Sequence, residues 1–314
     1  MRRRVSDPGM LGVMWLALLA VPLVAPNDYV VSLANVALVN LILIASLNLL
    51  MGFCGQISLS HAGFFGLGAY TSGILSIRYG VPAMLGLPVA TLAAAAGAFV
   101  VGLPALRLRG HYLAMVTLGW NAILIVLFNQ LIGLTGGPNG LLGVPPFVIG
   151  PWTLFDDLHA FPLVWACAGL VMLFILNLLQ SRTGRAMRAV ANSELAAAAL
   201  GVDTFRIKLL AFVLSAGMAG LAGSLYVHVN QYASPETFGV AGSILLLVTV
   251  AVGGSGSFWG PVFGALLYTI VPQLLLAYDD LEMMLFGGAM LVVLIGFPGG
   301  IAALPALLGR RVRR

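Results

Sequence analysis

The side chains able to bond a small polar solute in this sequence are few, and nearly all are uncharged. They gather in two glycine- and serine-rich interruptions of apolar runs, Gly52-Phe53-Cys54-Gly55-Gln56-Ile57-Ser58-Leu59-Ser60-His61 and Gly253-Gly254-Ser255-Gly256-Ser257-Phe258-Trp259-Gly260-Pro261. Hydroxyls, a carboxamide and an imidazole, beside peptide groups released from regular helix, can exchange hydrogen bonds with a solute without any fixed charge. Gln56, Ser58, Ser60, His61, Ser255 and Ser257, with Asn48, Thr117 and Asn121 from neighbouring runs, are therefore the candidate lining of a polar route. The alternative is a tight turn for each interruption, and a bond to an adjacent helix for each in-run amide or hydroxyl. Asn40, Ser46, Thr71, Asn129, Asn177 and Ser215 face the same two readings, while His228 is read as structural.

Bond-breaking chemistry finds no support. There is no His-Glu-x-x-His or Gly-x-Ser-x-Gly pattern, and the glycine-rich stretch at 253–257 lacks the lysine of a phosphate-binding loop. Cys54 and Cys167 sit apart in apolar surroundings with no metal-ligand spacing, so they read as small apolar fillers and this chain is expected to bind no metal or cofactor. No Asp, Glu, Lys or Arg lies near the middle of an apolar run, which argues against an ion-coupled motor inside the chain.

The elements that must position these residues follow from composition. Of 314 residues, 61% are hydrophobic and only 8% charged, too few charges to cover a water-soluble particle of this mass. Apolar runs recur at 10–26, 29–51, 61–77, 82–103, 111–132, 162–180, 208–229, 239–254, 260–277 and 283–298. Such lengths satisfy the backbone in lipid only as helices, so the expected fold is an all-α polytopic membrane domain of about ten spans occupying 1–314. Placing both termini in the cytoplasm leaves only Arg78, of 15 basic residues, on the outside, as the positive-inside rule favours. The net charge of +5 is thereby read as orientation and not as nucleic-acid binding. The first run, behind Arg2, Arg3 and Arg4, also fits a cleaved signal peptide. Both interruptions fall at expected cytoplasmic junctions and precede an aromatic, small-residue helix start, which makes a weak internal repeat.

The longest cytoplasmic segment, 181–207, is too polar for the bilayer. Its alanines favour helix, Ser193 and Glu194 suit a helix start, and Gly201 suits a helix end, so two short helices are expected. An alanine ridge flanked by Arg185, Arg188 and Glu194 would fit a groove on another protein; the alternative is a plain surface linker held inside by its arginines.

Ser181 to Gly201 resembles the cytoplasmic coupling segment of permeases in the branched-chain amino-acid ABC importer family. Gly55 to Ala62, Leu106 to Tyr112, Val116 to Leu118, Leu134 to Leu141, Lys208 to Phe212 and Gly256 to Pro261 are similar to that family in the same order, most of all to its LivM-type subunit. The resemblance implies a membrane-spanning permease subunit of an ATP-driven importer for branched-chain or related amino acids. Its implied partners are a second homologous permease, two cytoplasmic ATPase subunits that use the ATP, and an extracytoplasmic substrate-binding protein, in a bacterial plasma membrane. Arg185, Arg188, Ala189, Glu194, Ala197 and Gly201 would then couple to the ATPases. The rival expectation is an ion-coupled secondary carrier of small amphiphilic solutes.

Overall fold

The computed structural model describes residues 27–107, 111–149, 152–154 and 156–275, with residues 12, 15, 18, 19, 22, 287, 288, 295 and 300–303 near the two ends. The expected spans at 10–26 and 283–298, and Arg109, fall mostly or wholly outside these residues. Each expected span between them is a helix: α1 (Asp28–Asn48), α2 (His61–Tyr79), α3 (Ala83–Ala105), α4 (His111–Gln130), α5 (Asp157–Gln180), α8 (Thr204–Asn230), α9 (Val240–Gly254) and α10 (Gly260–Leu275), with α6 (Arg182–Asn192) and α7 (Glu194–Ala199) between α5 and α8. Five of them, α1, α3, α4, α5 and α8, are long and apolar enough to cross a membrane, while α9 and α10 are shorter apolar helices. Helix α2 owes its weaker apolar character to its place: it packs against α3, α4, α8 and α9, and its buried face carries Ser72, Ser76 and several glycines. A helix wrapped in other helices needs small residues for close approach more than it needs a greasy surface.

Glycines set how near the central helices come. A methyl group at Gly68 of α2 would strike the backbone of Gly220 in α8, and one at Gly223 would strike the Phe65 carbonyl. Gly217 and Gly220 turn their open faces to α3, where Ala90, Ala94 and Ala95 lie. Small residues one turn apart on α8 thus seat it between α2 and α3.

The expectation of helices alone needs one correction. Four short strands lie between the spans: β1 (Leu141–Leu142), β2 (Phe147–Ile149), β3 (Trp152–Leu154) and β4 (Tyr232–Ala233). β1 pairs antiparallel with β4, Leu141 opposite Ala233, and β2 with β3, Ile149 opposite Trp152. Strands this short sit in connections, where the backbone has partners other than lipid, and they are no spanning barrel. His228 fastens them to the bundle. Its Nδ1 donates to the Pro145 carbonyl at 2.7 Å, and its Nε2 lies 2.8 Å from Ser72 Oγ, which also accepts from Ser224 Oγ at 2.7 Å.

Candidate functional site

The first interruption begins inside α1, whose last turn widens into a π-helical turn at Leu49–Phe53 before the chain leaves the helix at Gly55. Gly55 has φ of 71°, a region open to glycine at little cost, and a Cβ there would lie 3.1 Å from Ala191 Cα in α6. Gln56 N–H closes the wide turn onto the Leu50 carbonyl at 3.1 Å. Its side chain donates only to the Cys54 carbonyl, at 3.4 Å. Wide turns of this kind inside a helix recur at functional places.

The two interruptions meet. Asn48 accepts from Gly256 N–H at 2.9 Å and donates to the Ser257 carbonyl at 2.8 Å, so one amide side chain clamps the second break onto the end of α1. A methyl at Gly52 would collide with both Asn48 Oδ1 and Gly256 N. Of the serines in this second break, Ser255 is exposed and Ser257 half-buried.

Around the first turn of α2 the structure gathers most of the remaining polar candidates. Ser58 and Ser60 are buried with their hydroxyls 3.0 Å apart, and His61 Nε2 lies 2.6 Å from Ser46 Oγ. Thr117 Oγ1 of α4 accepts from Leu59 N–H at 3.0 Å. Ser243, which the sequence reading did not name, and Ser215, which it left open, join them. Ser243 of α9 accepts from Ala62 N–H at 3.1 Å, and Ser215 of α8 donates to the Ser46 carbonyl at 2.6 Å. Asn121 of α4, also buried, is different, because neither Oδ1 nor Nδ2 has a partner. Its Oδ1 is aimed at Gly63, where a methyl group would collide with it.

Along the next two turns of α2 an aromatic cluster packs the bundle. Phe238, fully buried in the turn Pro235–Phe238, packs edge-on against Phe65 at 5.3 Å and Tyr70 at 5.8 Å, and Tyr70 stacks on Phe128 at 4.4 Å. Sequence reasoning missed Phe238, since nothing distinguishes it from the other 15 of the chain's 16 phenylalanines until its neighbours are known.

The 181–207 segment forms the two helices expected of it. Ser181 Oγ accepts from Gly184 N–H at 3.2 Å, Ser193 Oγ from Ala196 N–H at 3.3 Å and Asp203 Oδ1 from Arg206 N–H at 3.1 Å, each capping a helix start. Its arginines turn back on α5: Arg188 donates to the Leu179 carbonyl at 2.6 Å and Arg185 to the Gln180 carbonyl at 3.0 Å, where cations complement a helix C-terminus. Glu194 accepts from Lys208 Nζ at 2.8 Å and from Thr204 Oγ1 at 3.4 Å, tying α7 to the start of α8. Ala197 is buried inside the chain and Ala189 half-buried, while Gly201 is exposed with φ of 82°. What the segment offers outward is Leu195 and Leu200, 74% and 83% exposed. They stand in the Glu194–Gly201 string, and a leucine pair flanking four alanines was the available signal.

Among the described residues no three His, Cys, Asp or Glu side chains gather as a metal site. The arrangement offers hydrogen bonds from five helices at one end of α2, a clamp between the two breaks, and a mechanical contact from α6 to the first break.

Comparison with known proteins matches residues 29–294 to the family described as branched-chain amino acid transport system permease component. The chain is 35% identical to the high-affinity branched-chain amino acid transport system permease protein LivM of Escherichia coli K12, over 86% of this chain and 69% of that protein. It is 34% identical to LivM of Salmonella typhimurium, with the same coverage. It is 27% identical to the E. coli permease LivH, over 81% of this chain and 88% of that one. No solved structure matches.

Proposed function

This chain belongs to the branched-chain amino acid transport permeases, and from that premise we propose that it is the solute conduit of an ATP-driven importer whose motor lies on other chains. It is a permease subunit, a multi-pass membrane protein, and the likeness to both LivM and LivH favours pairing with a second related permease. The rest of the proposed assembly is two cytoplasmic ATPase subunits at the 181–207 segment and an extracytoplasmic protein that delivers a branched-chain or related amino acid. The whole sits in a bacterial inner membrane, with about ten spans in a single domain and both termini inside.

One observation carries this reading: α6 rests directly on Gly55, and the π-turned end of α1 to which Gly55 belongs rests on Gly256 through Gly52. Displacing α6 and α7 by an ATPase would therefore press first on one break and then on the other. No flexible linker intervenes. Lys208, paired to Glu194 at the start of α8, carries the same displacement into the central helix that reaches His228 at its far end. Two packings of such a bundle, alternately open toward the short strands and toward the two breaks, would pass a solute without a path open to both sides at once. The solute meets hydroxyls, amides and peptide dipoles, which suits a zwitterion that brings its own opposite charges.

The exposed leucines name the test. Cysteines at Leu195 and Leu200, in a chain with Cys54 and Cys167 replaced by alanine, are expected to cross-link to an ATPase subunit in membranes of cells producing the full importer. Cysteine at the buried Ala197 is expected not to. Cross-linking from none of these positions in an importer active for uptake would remove the coupling role from this segment.

A further inference from the structure

We propose that the first turn of α2 and Asn121 of α4 hold the carboxylate of the amino acid in transit. The inference rests on the permease reading above and adds to it the place and the chemical group.

The N-terminus of a helix presents peptide N–H groups and the positive end of the helix dipole, and so receives an anion. Helix α2 starts in a buried, polar setting, and its N-cap residue Ser60 makes no side-chain capping bond. The ring of groups around that turn is almost closed: Thr117 holds Leu59 N–H, Ser243 holds Ala62 N–H, Ser58 pairs with Ser60, and His61 pairs with Ser46. Among the described residues no Lys or Arg hydrogen-bonds to any of them, so a bound carboxylate would be neutralised by dipoles and not trapped by a cation.

Asn121 completes the argument because it is the one side chain of the ring with nothing to bond. A buried polar group left unpaired loses its bonds to water and gains none in return, a desolvation cost, and Asn121 buries a donor and an acceptor together. A leucine has the same branching and would remove that cost, so the amide is explained by a partner present in another stage of the cycle. Turned half a revolution about its Cβ–Cγ bond, which exchanges the two ends of the amide, Asn121 brings Nδ2 to donate to a carboxylate held at the α2 turn and leaves Oδ1 to accept from the ammonium of the same amino acid. The glycine at 63 leaves the room, since any side chain there would collide with the amide. Access requires α4 to draw away from α2, and α4 is the least enclosed of the five long apolar helices. Trp120, next to Asn121 on α4, also buries an unpartnered Nε1, a second sign that this helix changes neighbours.

The experiment is uptake of labelled L-leucine into vesicles containing the complete importer, with ATP on the ATPase side and the binding protein outside. Asn121→Leu is expected to assemble, to unfold at a temperature no lower than the parent, and to take up leucine more than tenfold more slowly. Asn121→Asp, of the parent's shape, sets a carboxylate against the solute's carboxylate and is expected to lose uptake at least as severely. Uptake by Asn121→Leu within twofold of the parent overturns the site, and uptake by Asn121→Asp at or above the parent overturns the carboxylate as the group held. If leucine at 121 prevents assembly, the aspartate variant alone decides by the same criterion. Failure of the parent importer to use ATP for uptake would instead sink the permease reading on which the site rests.

Discussion

Lys208 is the side chain whose chemistry the sequence could not place. It stands among the basic residues that orient the chain, yet only 4% of its side chain is exposed, and its ammonium is 2.8 Å from the Glu194 carboxylate, 30% exposed. Removing one member of a fully buried ion pair costs about 3–5 kcal/mol; the partial exposure of Glu194 reduces the expected loss here to about 2 kcal/mol. Glu194→Lys sets two cations together. It should lower the yield of assembled importer and cut uptake at least tenfold, and adding Lys208→Glu to the same chain should restore much of both. A double variant no better than Glu194→Lys would mean that Glu194 serves a partner chain and not Lys208. That several of the candidate residues would lie inside the bundle was legible from type and position: Asn48, Ser58, Ser60, His61, Thr117 and Asn121 are all buried, and all but Asn48 lie about the first turn of α2. Ser243 was not named and Ser215 stood open between lining and helix contact, because a serine in an apolar helix looks the same whichever neighbour its hydroxyl meets.

At the scale of elements, the spans were readable because lipid leaves the backbone one economical solution, and apolar length alone then locates each helix. The small helices at 182–199 were readable in part from their ends: Ser193, expected to start the second, accepts the N–H bond that a helix start leaves open, and Ser181 does the same for the first. The strands were hidden because two- and three-residue pairings depend on partners far along the chain, as Leu141 with Ala233 shows. The meeting of the two breaks was hidden for the same reason: each was visible by its glycines, but their contact through Gly52 and Gly256 is a matter of packing. Gly52→Ala therefore tests an element-level claim. Its methyl cannot be accommodated by rotating a side chain, because part of what it meets is backbone, so the break must shift. Uptake is expected to fall more than tenfold in an importer that still assembles. Gly55→Ala, with a left-handed φ costing about 1–2 kcal/mol and Ala191 close by, should give a smaller loss in the same assay. Normal uptake by Gly52→Ala would show that the contact between the breaks carries nothing.

For the whole molecule, one end gathers the first break, α6, α7 and the second break, and the other gathers the strands and the His228 latch. Central helix α8 connects them, anchored by Lys208 at one end and by His228 at the other. Among the described residues the ion pairs, Lys208 with Glu194, Arg206 with Asp203 and His159 with Asp156, lie near helix starts and not midway along the spans. The account accordingly depends on the drive coming from outside the chain, and reconstitution tests that most directly. Vesicles holding this chain alone should accumulate no labelled leucine, whether given ATP or an imposed proton or sodium gradient. Vesicles holding it with its second permease and ATPases, supplied with binding protein and ATP, should concentrate leucine many-fold, and accumulation by the lone chain on an ion gradient would contradict the account.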